Sequence, residues 1–394
     1  MSNVTKRFVL QEESVLRAWT LVLCYLLLAT AALVLFDGDQ TGAESKSEAL
    51  GEHLYASMVL EQQADNGFVP QPEPAAAPKA DPPLPPPPAG YRVPQVSPSG
   101  RDISAYAGMG TWIDLYDWGK PNTATIDSLV ETMALRGVKT LYLQTGRWNL
   151  PEDIAGAATI GQFIDLSHAK GIKVIAWYLP GFGNLDLDIQ RSMAAINFTS
   201  AQGRKFDGFA PDIEDPRGVG RNTTAFNLGI MEYSRRLRES VPADYALGAI
   251  TLDARNNERA PHVWAGHPWP EIGIYYDVVM PMAYWTVTKP GNCLAHQMDA
   301  AQYMRDVVGK TKALMGKDVP VHPIGGIADC NTIEEVSAYV DVALEQRWHG
   351  ISLYDLVTIQ GHPGAEQIWQ QLQRGNELLP PVPVVPSDPK KRTP

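Results

Sequence analysis

Between residues 102 and 376 the chain repeats one local phrase. A helix-length amphipathic stretch meets a glycine, a basic residue follows closely, and an apolar strand begins. RGVKTLYL (136–143) and KGIKVIAW (170–177) are the clearest copies. Glycine there takes the left-handed conformation that ends a helix, and the apolar run behind it reads as a buried strand. Strands are expected over 110–118, 138–146, 173–182, 205–216, 245–254, 276–285, 319–328 and 349–357. Helices are expected over 123–136, 160–170, 187–197, 223–240, 295–315, 333–347 and 364–374, with a long loop carrying Trp264 and Trp269 in place of a fifth. Along 223–240, Phe226, Ile230, Tyr233 and Leu237 form a helical stripe. Thr332 and Glu335 are spaced for a capping box. Eight strand–helix units of this length fit a (β/α)8 TIM barrel. The rival is an open doubly wound sheet, which wants a glycine-rich phosphate loop after its first strand. Asp117-Trp118-Gly119 offers no such cradle.

The flanks have different character. Residues 1–17 are polar and contain Lys6, Arg7 and Arg17. The stretch 18–36 (AWTLVLCYLLLATAALVLF) carries no charge and is long enough to cross a bilayer. Basic residues before it, and Asp37 and Asp39 after it, place the N-terminus in the cytoplasm and the barrel outside the cell membrane. A cleaved signal peptide is the competing reading, because Ala29-Thr30-Ala31 resembles a cleavage site. Residues 37–101 form an extracellular linker whose proline cluster favours an extended spacer, and 377–394 read as a disordered proline-rich tail.

Composition narrows the partners. A net charge of -11 argues against a nucleic-acid binder, which needs a basic stripe for phosphate contact. Ten Trp and fifteen Tyr are compatible with a carbohydrate site and equally with core packing. No cofactor motif is present. His296 and His322 have no tight ligand spacing around them, so no metal site is expected.

Barrel chemistry gathers at the C-terminal ends of the strands. The polar groups there are Asp114 and Tyr116 on the first strand, Gln144 and Arg147 on the second, and Trp177 and Tyr178 on the third. Asp212 and Glu214 end the fourth and Asp253 the fifth; Tyr284 and Trp285 end the sixth, and Tyr354 and Asp355 the eighth. Alternation puts Trp112, Asp114, Tyr116, Tyr142, Gln144, Ser352 and Tyr354 towards the lumen, and sets Asp212 and Glu214 on one face of their strand. Two carboxylates held together on a rigid strand cannot both ionise cheaply, which keeps one of them protonated as a general acid. The plainer reading of 205–216 is an acidic loop that binds a cation or caps a helix. Acid, amide, guanidinium and aromatic groups at one rim suit a sugar ring.

DGFAPDIE, Asp207 to Glu214, resembles the fourth-strand motif of family 18 glycoside hydrolases, the chitinase-like enzymes. Asp207, Gly208, Asp212 and Glu214 match it, while Ala210 stands where the motif has its middle Asp. Met282, Ala283 and Tyr284 match part of the sixth-strand pattern, with Trp285 in place of an Asp. The resemblance implies Glu214 as general acid, Asp212 as the group that orients an N-acetyl substituent or tunes Glu214, and Tyr284 as a hydrogen-bond donor to the substrate. Asp114, Tyr116, Gln144, Arg147, Trp177, Tyr178, Asp253, Trp285, Tyr354 and Asp355 are the candidate sugar-binding groups. A two-carboxylate mechanism would draw its second acid from Asp114, Asp253 or Asp355. The expected function is a membrane-anchored extracellular hydrolase acting on a cell-wall or secreted polysaccharide. A non-catalytic glycan-binding barrel or a polysaccharide-assembly accessory is the alternative. Cys293 and Cys330 follow neighbouring strands and outside the membrane would form a disulfide, with two buried thiols as the other reading.

Overall fold

The structure, a computed structural model, describes residues 92–117, 125–259, 264–288 and 299–380. The apolar run 18–36, most of the linker, Cys293, His296 and the last part of the tail lie outside the described residues. Eight strands run parallel: β1 (Gly108–Ile113), β2 (Thr140–Arg147), β3 (Lys173–Leu179), β4 (Gly208–Ile213), β5 (Gly248–Thr251), β6 (Val278–Pro281), β7 (Ile324–Ile327) and β8 (Gly350–Tyr354). Their hydrogen-bonded order is β6-β5-β4-β3-β2-β1-β8-β7. The remaining seam, β6 against β7, is bridged in parallel at Val279–Val321 and Met282–Ile324. There the His322 N–H donates to the Val279 carbonyl at 2.9 Å, and the Ala283 N–H to that of Ile324 at 2.8 Å. The ring therefore closes, and the open-sheet alternative is excluded.

Around the ring lie α1 (Ile126–Leu135), α2 (Ala157–Ala169), α3 (Leu185–Asn197), α4 (Thr223–Ser240), α5 (Trp269–Tyr275), α6 (Ala300–Met315), α7 (Ile333–Gln346), α8 (Leu356–Gly361) and α9 (Ala365–Gln373). The capping box of Thr332 and Glu335 starts α7 as the spacing requires. Helix α5 replaces the expected loop: Pro268 and Pro270 obscure it in sequence, yet proline is tolerated in a helix's first turn. Helix α8 begins inside the stretch read as the eighth strand, because Asp355 caps it instead of extending β8. Among the described residues no helix is long and apolar enough to cross a membrane.

The repeated glycine does what its position implies. After α1 the Val138 N–H donates to the Met133 carbonyl at 3.0 Å, and after α2 the Ile172 N–H donates to that of Ser167 at 2.9 Å. Gly137 and Gly171 supply the required positive φ, 75° and 74°. A Cβ on Gly171 would meet open space, so Gly171→Ala isolates the backbone cost alone. It is expected to lower stability by about 1 kcal/mol in urea titration. An unchanged midpoint would show that this turn relaxes freely.

Two apolar layers follow from strand alternation. Ile113, Leu141, Leu143, Val174, Ala176, Phe209, Ile213, Ala249 and Val279 face outward and pack with the helices. Trp112, Tyr142, Ile175, Trp177, Ala210, Ile250, Met280 and Ile324 fill the lumen. The floor of the barrel is stopped by the 3-10 turn Ser104–Tyr106. The Tyr106 hydroxyl donates to the Phe209 carbonyl at 3.0 Å and accepts from the Phe209 N–H at 3.1 Å. Beside it His322 is wholly buried, its Nδ1 donating to the Tyr106 carbonyl at 2.8 Å. The chain leading into the plug belongs to the barrel too: Val93 and Leu378, assigned by sequence to linker and tail, share a small core with Ala107, and the Val93 N–H donates to the Leu378 carbonyl at 3.0 Å.

Candidate active site

At the C-terminal mouth β4 delivers its acids as the alternation requires. Ala210 faces the lumen, Ile213 faces the helices, and Asp212 is buried just before the half-buried Glu214. Asp215, on the opposite face, is an anchor. It accepts the Trp148 indole N–H at 2.9 Å, takes three bonds from the Arg217 guanidinium, and caps the 3-10 turn Pro216–Val219. Burial works against its charge, but the Arg217 and Trp148 hydrogen bonds hold its carboxyl below the usual range. The chain just past Glu214 is thereby pinned. Asp207, the first residue of the motif, lies at the other end of the strand. Its carboxylate accepts from Lys173, from the Val174 N–H and from His168, which sits 2.7 Å away, so its part is structural.

Tyr284 follows β6 and packs against the lumenal cluster. Burial, and then the charges of Glu214, Asp212 and Asp355, push its hydroxyl well above the ordinary tyrosine range. It therefore stays a proton donor, within the field of acids from both sides of the mouth. Its ring centroid lies 6.2 Å from that of Tyr354 at the end of β8. The Tyr354 hydroxyl donates to Asp114 Oδ2 at 2.7 Å. Asp114 Oδ1 accepts the backbone N–H groups of Tyr116 and Asp117, at 2.7 and 3.2 Å. Gln144 accepts the Leu115 N–H at 3.0 Å, and Arg147 lies over the Tyr116 ring at 4.9 Å. These contacts tie the turn after β1 to β2.

Asp355 completes the arc. Its Oδ1 accepts from the Thr358 amide and hydroxyl at 2.8 and 3.0 Å. Burial, with the Asp114 charge adding, pushes its carboxyl up to about 6 despite those bonds. Oxygens of Asp114, Asp117 and Asp355 all lie within 4.8 Å of one another. Three carboxylates at that spacing have the chemistry of a hard-cation site, a grouping that separate strand ends conceal in the sequence. The Asp-x-x-Thr capping pattern at 355–358 was the legible signal that Asp355 is held in place.

Three expected site residues point elsewhere. Tyr178 faces the helices, where its hydroxyl donates to Asp188 of α3 at 2.7 Å. Asp253 accepts the Tyr303 hydroxyl of α6 at 2.6 Å, also outside the lumen. Trp285 is fully buried behind the sheet, its ring 5.5 Å from Tyr339 of α7. Each neighbours a residue that does face inward, and period-two geometry forbids both. Trp177 remains in the lumen, edge-on to Trp112 at 6.1 Å. Cys330 is disulfide-bonded.

No protein-family model and no curated protein matches the chain. Solved structures do. An endo-β-1,4-mannanase from Thermotoga petrophila superposes with a TM-score of 0.51 at 12% identity, over 69% of this chain and 77% of that one. A chitinase from Bacteroides thetaiotaomicron gives 0.50 at 12%, over 69% and 97%. A family 18 chitinase from Cycas revoluta, in complex with allosamidin, gives 0.50 at 11%, over 68% and 99%. By fold, then, the chain is similar to the (β/α)8 barrels of glycoside hydrolases, those of family 18 chitinases among them.

Proposed function

We propose that the chain is a glycoside hydrolase that cleaves a β-linked polysaccharide, with Glu214 as general acid. The observation that carries this is the grouping of Glu214, Asp212 and Tyr284 at the mouth of a closed barrel, where Tyr284 feels both carboxylates. Glu214 protonates the glycosidic oxygen, Asp212 buttresses it from the buried side, and the Tyr284 hydroxyl donates to the reacting sugar. Tyr354, Asp114, Tyr116 and Arg147 form the wall beyond, with an aromatic face and acceptors for sugar hydroxyls. The uncharged stretch 18–36, with basic residues before it, supports a single-pass anchor in the cell membrane and an extracellular barrel acting on cell-wall or secreted glycan. Outside the membrane Cys330 would pair with Cys293.

A second reading has its own support. Ala210 and Trp285 occupy the two places where the resembled motifs carry acids, and both are built into apolar packing. A glycan-binding barrel without turnover would look the same there. The experiment is reducing-end release from β-1,4-linked N-acetylglucosamine hexamer and from mannohexaose. Those probes are chosen because a second form of the cycad chitinase was solved with (GlcNAc)4 and the bacterial enzyme above is a mannanase. Cleavage of either supports the hydrolase. Binding of both without cleavage overturns it in favour of the binding module.

A further inference from the structure

We propose that the floor of the barrel docks against a lipid bilayer, its exposed apolar side chains entering the interface and its cations meeting headgroup phosphates. The proposal goes beyond the hydrolase reading and does not need it. Parallel strands all start on one side and the helices between them end there, so residues at helix C-termini share the floor. Among the described residues six large apolar side chains are exposed: Val96, Leu135, Leu228, Met231, Ile274 and Leu314. Four of them belong to the floor. Leu135 ends α1, and Ile274 and Leu314 each stand one residue before the end of α5 and of α6. Val96 lies in the segment leading to the plug, where its neighbour Ser97 donates to Asp277 at the foot of β6 at 3.1 Å.

Their spacing selects the partner. Helix α1 lies between β1 and β2 and α5 between β5 and β6, four strands away in either direction round the ring. A peptide seated in a groove would touch one side of the floor, whereas a plane touches both. Cations stand among the apolar groups. Lys173 opens β3 with its side chain 54% exposed, next to Lys139, whose carbonyl accepts the Lys173 N–H at 2.9 Å. Lys205 before β4 and Lys317 after α6 are exposed and form no ion pair among the described residues. Arg101 reaches from the plug segment to the Ala243 carbonyl at 2.7 Å and to Asp277 at 3.0 Å. Long Lys and Arg side chains lie along apolar surface and lift their charge above it, the pattern of a face that rests in a membrane interface. Asp102, Asp244 and Glu377 are exposed on the same side and weaken the attraction, so apolar contact is the larger part.

The orientation follows from screening. The eight residues of β2 carry the chain about 20 Å from floor to mouth. That is more than two screening lengths of about 8 Å at physiological salt. The acids at the mouth are therefore hidden from a surface that the floor touches. The chain that follows the uncharged stretch 18–36 joins the barrel at residue 92, on this floor, and a tether fixed in a bilayer raises the local concentration of lipid at that face.

The test is methyl NMR of the full chain in nanodiscs of phosphatidylcholine and phosphatidylglycerol that carry a doxyl-labelled lipid. Leu228, 59% exposed in the mouth-side half of α4, is the internal reference. The expected result is that methyl signals of Val96, Leu135, Ile274 and Leu314 fall at least threefold below that of Leu228. Ile274→Asp combined with Leu314→Asp, both at exposed positions so that the fold is kept, should at least halve the loss at Val96. Floor methyls broadened no more than Leu228, or broadening that the double variant leaves unchanged, overturns the proposal. Unbroadened floor methyls with two chains per disc overturn it in favour of a second copy of the chain. Should the chain leave the discs, the anchor reading fails, and flotation with vesicles of the same lipids decides the floor by itself. Flotation that the double variant abolishes supports the proposal, and no flotation overturns it.

Discussion

Glu214→Gln is expected to lower turnover about 1,000-fold or more while leaving glycan binding within about threefold. Glutamine matches the side chain in shape, so the mouth keeps its form, but it has no proton to give to the leaving oxygen. General acid catalysis by one positioned group is worth about 100- to 10,000-fold, and a poor leaving group pushes the loss to the upper part of that range. Tyr284→Phe removes a hydrogen bond rather than the transferred proton, and its loss should be the smaller. The strand itself should not respond. Asp215, which pins the chain beyond Glu214 through Trp148 and Arg217, is untouched by the change. Initial rates and isothermal titration on the same oligosaccharide separate the two effects. Turnover within tenfold of wild type would remove Glu214 from the chemistry, whatever else the barrel does.

Mild acid should destabilise the barrel. His267, His322 and His349 are all buried, and burial lowers their pKa values to about 3, 3 and 4. His322 and His349 each donate to a plug carbonyl, that of Tyr106 and that of Ile103, both at 2.8 Å. His267 sits among Trp264, Trp269 and Phe226, with no hydrogen-bond partner for either ring nitrogen among the described residues. In the unfolded chain the same rings take up protons below about pH 6.5. The unfolded state thus binds more protons than the native one, and stability is full above pH 6.5 and declines as pH falls towards 3. Each ring contributes about 1.4 kcal/mol per pH unit, so three contribute about 4 kcal/mol. Asp355 acts in the opposite sense. Its raised carboxyl favours the native state most below the unfolded value near 3.8, and that gain is lost as pH rises through 6. The net loss between pH 7 and pH 5 is about 5 kcal/mol, a melting-temperature drop of about 10 to 20 °C. Calorimetry across that range checks it. A curve flat to within 3 °C would contradict it, and His267→Leu should shallow the slope, since that ring gives up no hydrogen bond.

The alternation that places Trp112, Asp114 and Gln144 also identifies the inward face of β4. It carries the same information about Tyr178 and Trp285, which a simple inventory of polar residues at strand ends discards. Asp253 is harder to read, because β5 is short and Leu252, just before it, is the residue that packs towards the lumen. Other features leave no periodic trace. The plug at Ser104–Tyr106 is one turn long, and its meaning lies in carbonyls, those of Phe209 on β4 and of Ala246 before β5, that only the closed ring supplies. The approach of Asp355 to Asp114 joins opposite ends of the domain, so neither local spacing nor composition could announce it.

The contact between Val93 and Leu378 has a practical corollary. Both strands of chain leaving the domain depart side by side from the floor, near Gly108 at the start of β1, while the acids gather at the far rim. A reporter or affinity handle joined directly at residue 92 or 380 would start from the floor, on the side away from the opening. For the same reason a few residues bridging 92 and 380 would allow a circular permutant whose new ends are cut in a surface turn away from the mouth.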